Sequence, residues 1–256
     1  MLATTVRSTA LAVALAASAP AALGVELEAK LSGHFDDTGS FIADETTSEN
    51  YSTGFVLDAL TSTLFVRRSY FVFDLTSVTT PVVDALLILP QAAPPVPLYV
   101  SPNPSEFFIV TDVPFTEAEL RDPSLYTDPI TTETGPGAIF GTLGTGTLLG
   151  DTEVFAPLPP PDGPEAEIFL PLGSPEAIDY INANLGGTLI LGARMFGDEV
   201  LPPDFARILF SGTNPGIPPG TFDEPTPKVT LELIIPEPAG PAILLLALAG
   251  LARRRA

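Results

Sequence analysis

The chain has no cysteine, no tryptophan and one histidine, His34, among its 256 residues. Without cysteine there is no disulfide staple, no thiol nucleophile and no zinc finger. One histidine rules out metal triads that need two, and a Ser-His-Asp relay would have to use His34, for which no Gly-x-Ser-x-Gly elbow supplies the serine. More simply, a lone histidine on a polar turn reads as a solvated side chain. The missing tryptophan removes the largest flat face on which a sugar could stack. Positive charge is scarce too: 11 Lys and Arg stand against 31 Asp and Glu, a net of −20. Such a chain repels nucleic-acid phosphates and anionic lipid, so neither is a partner, and its charge serves solubility outside the cell.

Long apolar runs are confined to the two ends. Met1 to Gly24 reads as a signal peptide, with Arg7 as its positive start and Ala10–Ala17 as its apolar stretch. Ala22 and Gly24 are the small residues a signal peptidase inspects, which predicts cleavage before Val25. At the other end Pro236-Glu237-Pro238 precedes a small or apolar segment over 239–252, then Arg253, Arg254 and Arg255. A helix of these fourteen residues rises about 21 Å, short of the roughly 30 Å of a hydrocarbon core. The tail therefore reads as a transient insertion, its arginines held on the cytoplasmic side.

This order of elements resembles the PEP-CTERM sorting signal of exported bacterial proteins, a tail that also goes under the label of ice-binding protein C-terminal domain without implying anything about ice. The resemblance covers 236–256 only. It implies an exosortase-like membrane enzyme as processing partner, a precursor anchored in the inner membrane by its tail, and delivery to the cell surface or the extracellular polysaccharide matrix.

Between the ends lies one body, 25–235. It keeps seven basic residues (11 less Arg7 and Arg253–Arg255) against thirty acidic ones (31 less Glu237), a net of −23. Period-two alternation predicts strands: Glu26–Leu31 with Leu27, Ala29 and Leu31 inward, Ser69–Leu75 with Phe71, Phe73 and Leu75 on one face, a two-faced apolar strand over Val82–Leu89, and Lys228–Ile235. Further strands are predicted at Ser52–Leu57, Phe107–Thr111, Ala166–Leu170, Gly187–Phe196 and Arg207–Ser211. One short helix is predicted after Ser174 and Pro175, stopped by Gly186-Gly187. Prolines at 94–97, 157–164 and 215–219 and the Thr/Gly run 131–150 read as loops. The expectation is an all-β protein: an antiparallel, jelly-roll-like β-sandwich with one helix and cleavable apolar helices at both ends. Arg68–Leu75 followed by Val83–Ile88 resembles exported jelly-roll modules such as carbohydrate-binding modules, which implies an adhesive or binding role.

Chemistry-bearing residues are few, and a non-enzymatic role is expected. Loop carboxylates can hold calcium, and Asp36, Asp37 and Asp44 are the candidates, flanking the strand-like 39–43. Alternatives are a glycan- or matrix-binding module, with or without calcium dependence, with Tyr51, Tyr126 and Tyr180 as stacking candidates, and a hydrolase built on two close carboxylates.

Overall fold

The computed structural model describes residues 22–44, 51–58, 63–90, 105–155, 167–196, 209–210 and 228–236. The expected signal-peptide core, the expected sorting tail beyond Pro236 and the proline-rich segments lie outside the described residues. The chain divides into two compact units, 24–235 and the two ends 1–23 with 236–256.

In chain order the strands are β1 (Ala22–Glu28), β2 (Leu31–Asp36), β3 (Phe41–Asp44), β4 (Ser52–Asp58), β5 (Thr63–Asp74), β6 (Asp84–Pro90), β7 (Ser105–Thr111), β8 (Leu148–Phe155), β9 (Glu167–Pro171), β10 (Thr188–Met195), β11 (Leu209–Phe210) and β12 (Thr230–Pro236). They form a four-stranded sheet in the order β1-β12-β6-β9 and an eight-stranded one along β11-β4-β5-β10-β7-β8, with β2 and β3 branching from β5. The β5 segment, dense in aromatic and β-branched residues, has twelve residues and is the hub. Arg67 to Val72 pair with β2 along one edge. Along the other edge Thr63 to Arg67 pair with β4 and Ser69 to Asp74 with β10, all antiparallel.

The two sheets enclose an apolar core. Phe71, Phe73, Leu189, Leu191, Phe108 and Val110 of the large sheet meet Leu87, Leu89, Leu231, Leu233 and Leu170 of the small one. The protein is thus mainly β, with antiparallel sheets face to face. The strand over Val82–Leu89 is central as expected: β6 is paired on both sides, by β12 and β9.

The expectation of one helix is corrected. The predicted helix exists as α3 (Pro175–Ala183), and the Ser174 hydroxyl accepts from Ala177 N at 3.1 Å. Two more, α1 (Glu117–Arg121) and α2 (Pro136–Thr142), and a 3-10 turn at Pro123–Leu125 lie in the β7–β8 connection. Their five and seven residues are too few to show a helical period, and such short helices persist only through tertiary packing. The segment 131–150 is likewise not a plain loop, since it contains α2 and the start of β8.

This connection covers the outer face of the large sheet and makes a second core. Leu31, Phe35, Tyr70, Val72 and Ile190 of the sheet meet Phe115, Leu120, Tyr126, Ile139 and Leu143. The fit is close: a Cβ on Gly192 of β10 would lie 2.6 Å from Val113 Cγ1, so only glycine leaves room for the cap. The predicted strand Glu26–Leu31 is therefore two strands. Ala29 N–H donates to Val229 O (2.8 Å) in the small sheet, and Lys30 N–H donates to Val72 O (2.9 Å) in the large one. The chain changes sheets between them, so Ala29 enters the inner core and Leu31 the outer one.

Candidate functional site

Beyond the switch, β2 alternates strictly. Leu31 and Phe35 face the outer core, so Ser32, His34 and Asp36 face the opposite side. Register places His34 against Ser69 and Asp36 against Arg67. With Ser52 and Thr53 of β4 these residues form a polar row inside the fold, and all but Arg67 are at most 5 % exposed. Thr53 Oγ1 and Ser69 Oγ are 2.6 Å apart, and Ser69 Oγ donates to Ser52 O at 3.0 Å. Among the described residues the Ser32 hydroxyl, His34 Nδ1 and Arg67 Nε have no hydrogen-bond partner.

The expectation of a solvated His34 is corrected. Desolvation, and then the charge of Arg67, lower its pKa to about 3. The imidazole is neutral at neutral pH, and Nδ1, the nitrogen a carboxylate would orient in a relay, has no partner among the described residues. Burial lowers the pKa of Arg67, and the Asp36 charge partly restores it. The signal for this row was present in the sequence: Leu31, Gly33 and Phe35 alternate with Ser32, His34 and Asp36.

The backbone register sets the position of Asp44 apart from those of Asp36 and Asp37. Asp36 Oδ1 accepts from Thr38 N (3.0 Å), Thr38 Oγ1 (2.6 Å) and Ser40 N (2.8 Å), which closes the β2–β3 turn around Gly39 at φ +88°. Asp37 Oδ1 accepts from Val66 N at 3.0 Å. Asp44 pairs with Ser32, four residues along β2 from Asp36, about 13 Å at roughly 3.3 Å per residue. Among the described residues no group of three or more Asp, Glu and His is arranged to hold a metal.

Two candidate stacking tyrosines are interior. Tyr51 packs edge-on against Phe71 (centroids 5.1 Å), and burial pushes its phenol well above the usual range. Tyr126 packs in the outer core against Phe115. Tyr180 is half-buried, donates to Ile190 O at 2.8 Å, and is pushed up to about 12 chiefly by burial. Exposed aromatic faces belong instead to Phe41, Phe107, Phe169 and Phe196.

Of the expected processing residues, Ala22, Gly24 and Val25 lie in β1, and Pro236 ends β12. Glu237, Pro238, Arg253, Arg254 and Arg255 lie outside the described residues, among which no helix is long and apolar enough to cross a membrane. The expected cut before Val25 falls inside β1, an edge strand, and leaves Val25 and Leu27 packed on the inner core. Three contacts set the direction of β1 against β12: Lys228 Nζ lies 3.2 Å from Glu28 Oε2, Ala29 N–H donates to Val229 O, and a Cβ on Gly24 would lie 3.4 Å from Glu232 Oε1. As one chain advances the other retreats, so the strands are antiparallel. Gly24 and Ile235 therefore leave the small sheet at the same end.

No family model matches the chain, and no curated protein matches it, so residues and geometry alone carry its functional reading.

Proposed function

We propose that this chain is an exported protein of the cell surface or extracellular polysaccharide matrix, a non-enzymatic, jelly-roll-like sandwich delivered by processing at both ends. The observation that carries this reading is the ordered tail: Pro236-Glu237-Pro238, the apolar segment 239–252 and Arg253–Arg255. It is too short to span a bilayer comfortably and its cations hold one end inside. The compact unit 24–235 is consistent with an expected mature body of 25–235, since it leaves both apolar ends outside. A signal peptidase acts at Ala22–Val25 and an exosortase-like membrane enzyme acts on the tail, which enters the inner membrane only transiently.

Replacing Pro236-Glu237-Pro238 with three alanines is expected to leave a membrane-retained precursor in a host with the sorting enzyme. Intact mass of the secreted and membrane fractions reads this directly. Maturation of the alanine variant at the normal rate and to the normal mass would refute the tail reading.

A further inference from the structure

The polar row on β2 and β5 leaves one cation without a counter-charge in contact. Lys30 and Arg121 lie against Glu117, and Lys228 against Glu28. Half-buried Arg67 has no such carboxylate among the described residues, although the body carries thirty acidic side chains to seven basic ones. Asp36, its register partner, turns Oδ1 into the β2–β3 turn, where Thr38 and Ser40 donate to it. Its charge offsets only part of what burial does to Arg67. The guanidinium reaches along the row: Nη1 lies 3.5 Å from Ser52 Oγ, and the central carbon lies 4.8 Å from the centroid of the Phe65 ring.

His34 stands opposite Ser69 and diagonal to Arg67, a separation of about 7–8 Å that a long side chain bridges. Ser32 is the next residue on that face of β2, roughly 7 Å from His34. Ser32 and His34 are 0 % and 5 % exposed. Each of the three residues turns a polar atom inward without a partner among the described residues: Ser32 Oγ, His34 Nδ1 and Arg67 Nε. Buried polar groups are nearly always satisfied, so three orphans on one face point to a missing partner. All three can donate, since a neutral imidazole can carry its proton on Nδ1. Water would satisfy them but leave the guanidinium charge uncompensated. An anion does both, because its oxygens only accept.

We propose that Ser32, His34 and Arg67 form a binding site for a small, singly charged oxyanion, either an inorganic ion or a single carboxylate group. Arg67 supplies the charge, and Ser32 and His34 fix the orientation. Asp36 limits the charge of the ion, because a dianion would meet its repulsion. β5 is paired along both edges, so the donors are held in place before the ion arrives. The site does not depend on the sorting reading.

The chain has one histidine, so its imidazole C–H proton resonance reports on the site without ambiguity. The full chain at neutral pH is titrated with sodium acetate and separately with sodium nitrate, the ionic strength being held constant with a bulky sulfonate buffer. A saturable shift of the His34 signal is expected with at least one salt. Saturation by acetate alone assigns the site to a carboxylate, and saturation by nitrate assigns it to an inorganic oxyanion. Ser32→Ala is expected to raise Kd about five-fold, the loss of one hydrogen bond to a charged ligand, and Arg67→Gln to abolish saturation. Unsaturated drift with both salts, or an unchanged Kd in either variant, overturns the proposal and leaves the row to water. Ser32→Ala removes only a buried hydroxyl, so the test stands even where Arg67→Gln does not fold.

Discussion

A His34→Leu variant is expected to hold its stability between pH 6.5 and pH 3 far better than the unsubstituted protein. In the unfolded chain the imidazole takes up a proton as pH falls through its ordinary value of 6.5; in the fold, burial and the Arg67 charge delay this to about 3. Between those values the unfolded state binds more protons, so stability is lost as the pH falls. A shift of about 3.5 units at 1.36 kcal/mol each gives on the order of 5 kcal/mol, comparable with the whole net stability of many domains. Asp36 lies on the same face and opposes the Arg67 charge. Asp74 and Asp128 pull the same way as His34, because hydrogen bonds from Thr76 and from Thr131 and Ile130 hold their carboxyls below the ordinary range, but Asp74 is exposed, Asp128 lies at the surface in a local turn, and both are weakly coupled to folding. Urea unfolding at pH 7, 5, 4 and 3.5, followed by circular dichroism, separates these contributions. At pH 7 the variant should be at least as stable, since it removes an unpartnered buried nitrogen. Parallel losses in the two proteins would show that His34 is not the acid-sensitive group.

Arg68→Ala is expected to cost about 3 kcal/mol and to loosen the helical cap before the sandwich. Arg68 is 7 % exposed on the outer face of β5. Its Nη1 donates to Phe140 O (3.1 Å) and Leu143 O (3.0 Å), and its guanidinium lies 4.6 Å from the centroid of the Phe140 ring. These carbonyls stand at the C-terminal end of α2, where the helix has no N–H donors of its own to meet them and where a cation is favoured. The other end of α2 has no side-chain cap, so Arg68 is its principal polar anchor. Truncation leaves desolvated carbonyls and removes the ring contact. Hydrogen exchange should quicken over 136–143 while β10 and β6 stay protected. Lysine, a single point donor without the planar fork, should rescue only part of the loss. Uniform acceleration across both sheets would mean that the cap has no separate stability.

Much of the strand content was legible because alternation survives in the sequence. Phe71 and Phe73 against Tyr70 and Val72 read as a strand, and β5 is one. Ser174, Pro175 and Gly186 bracket α3 because capping and φ > 0 at Gly186 are local requirements. The strand β8 was not legible: its Thr/Gly-rich approach masks the alternation, and its pairing with β7 is itself irregular near Val110 and Thr111. The helical cap was missed for a similar reason, since α1 and α2 draw their stability from Leu31, Tyr70 and Val72, residues far from them in the chain.

The sequence by itself determined what local chemistry can encode: strands and one capped helix, the acidic charge, the lack of thiols, and the apolar ends that motivate the export proposal. Tertiary structure alone decided which side of each strand is interior. A two-sided apolar strand such as β5 is the same string whether its second face meets solvent, a cap or another sheet. Tyr126 became a core residue and Arg68 an anchor because the β7–β8 connection lies against the outer face of the large sheet, and His34 became a buried neutral base on the opposite face of β2. Those contacts arise from long-range burial, which no window of neighbouring residues contains.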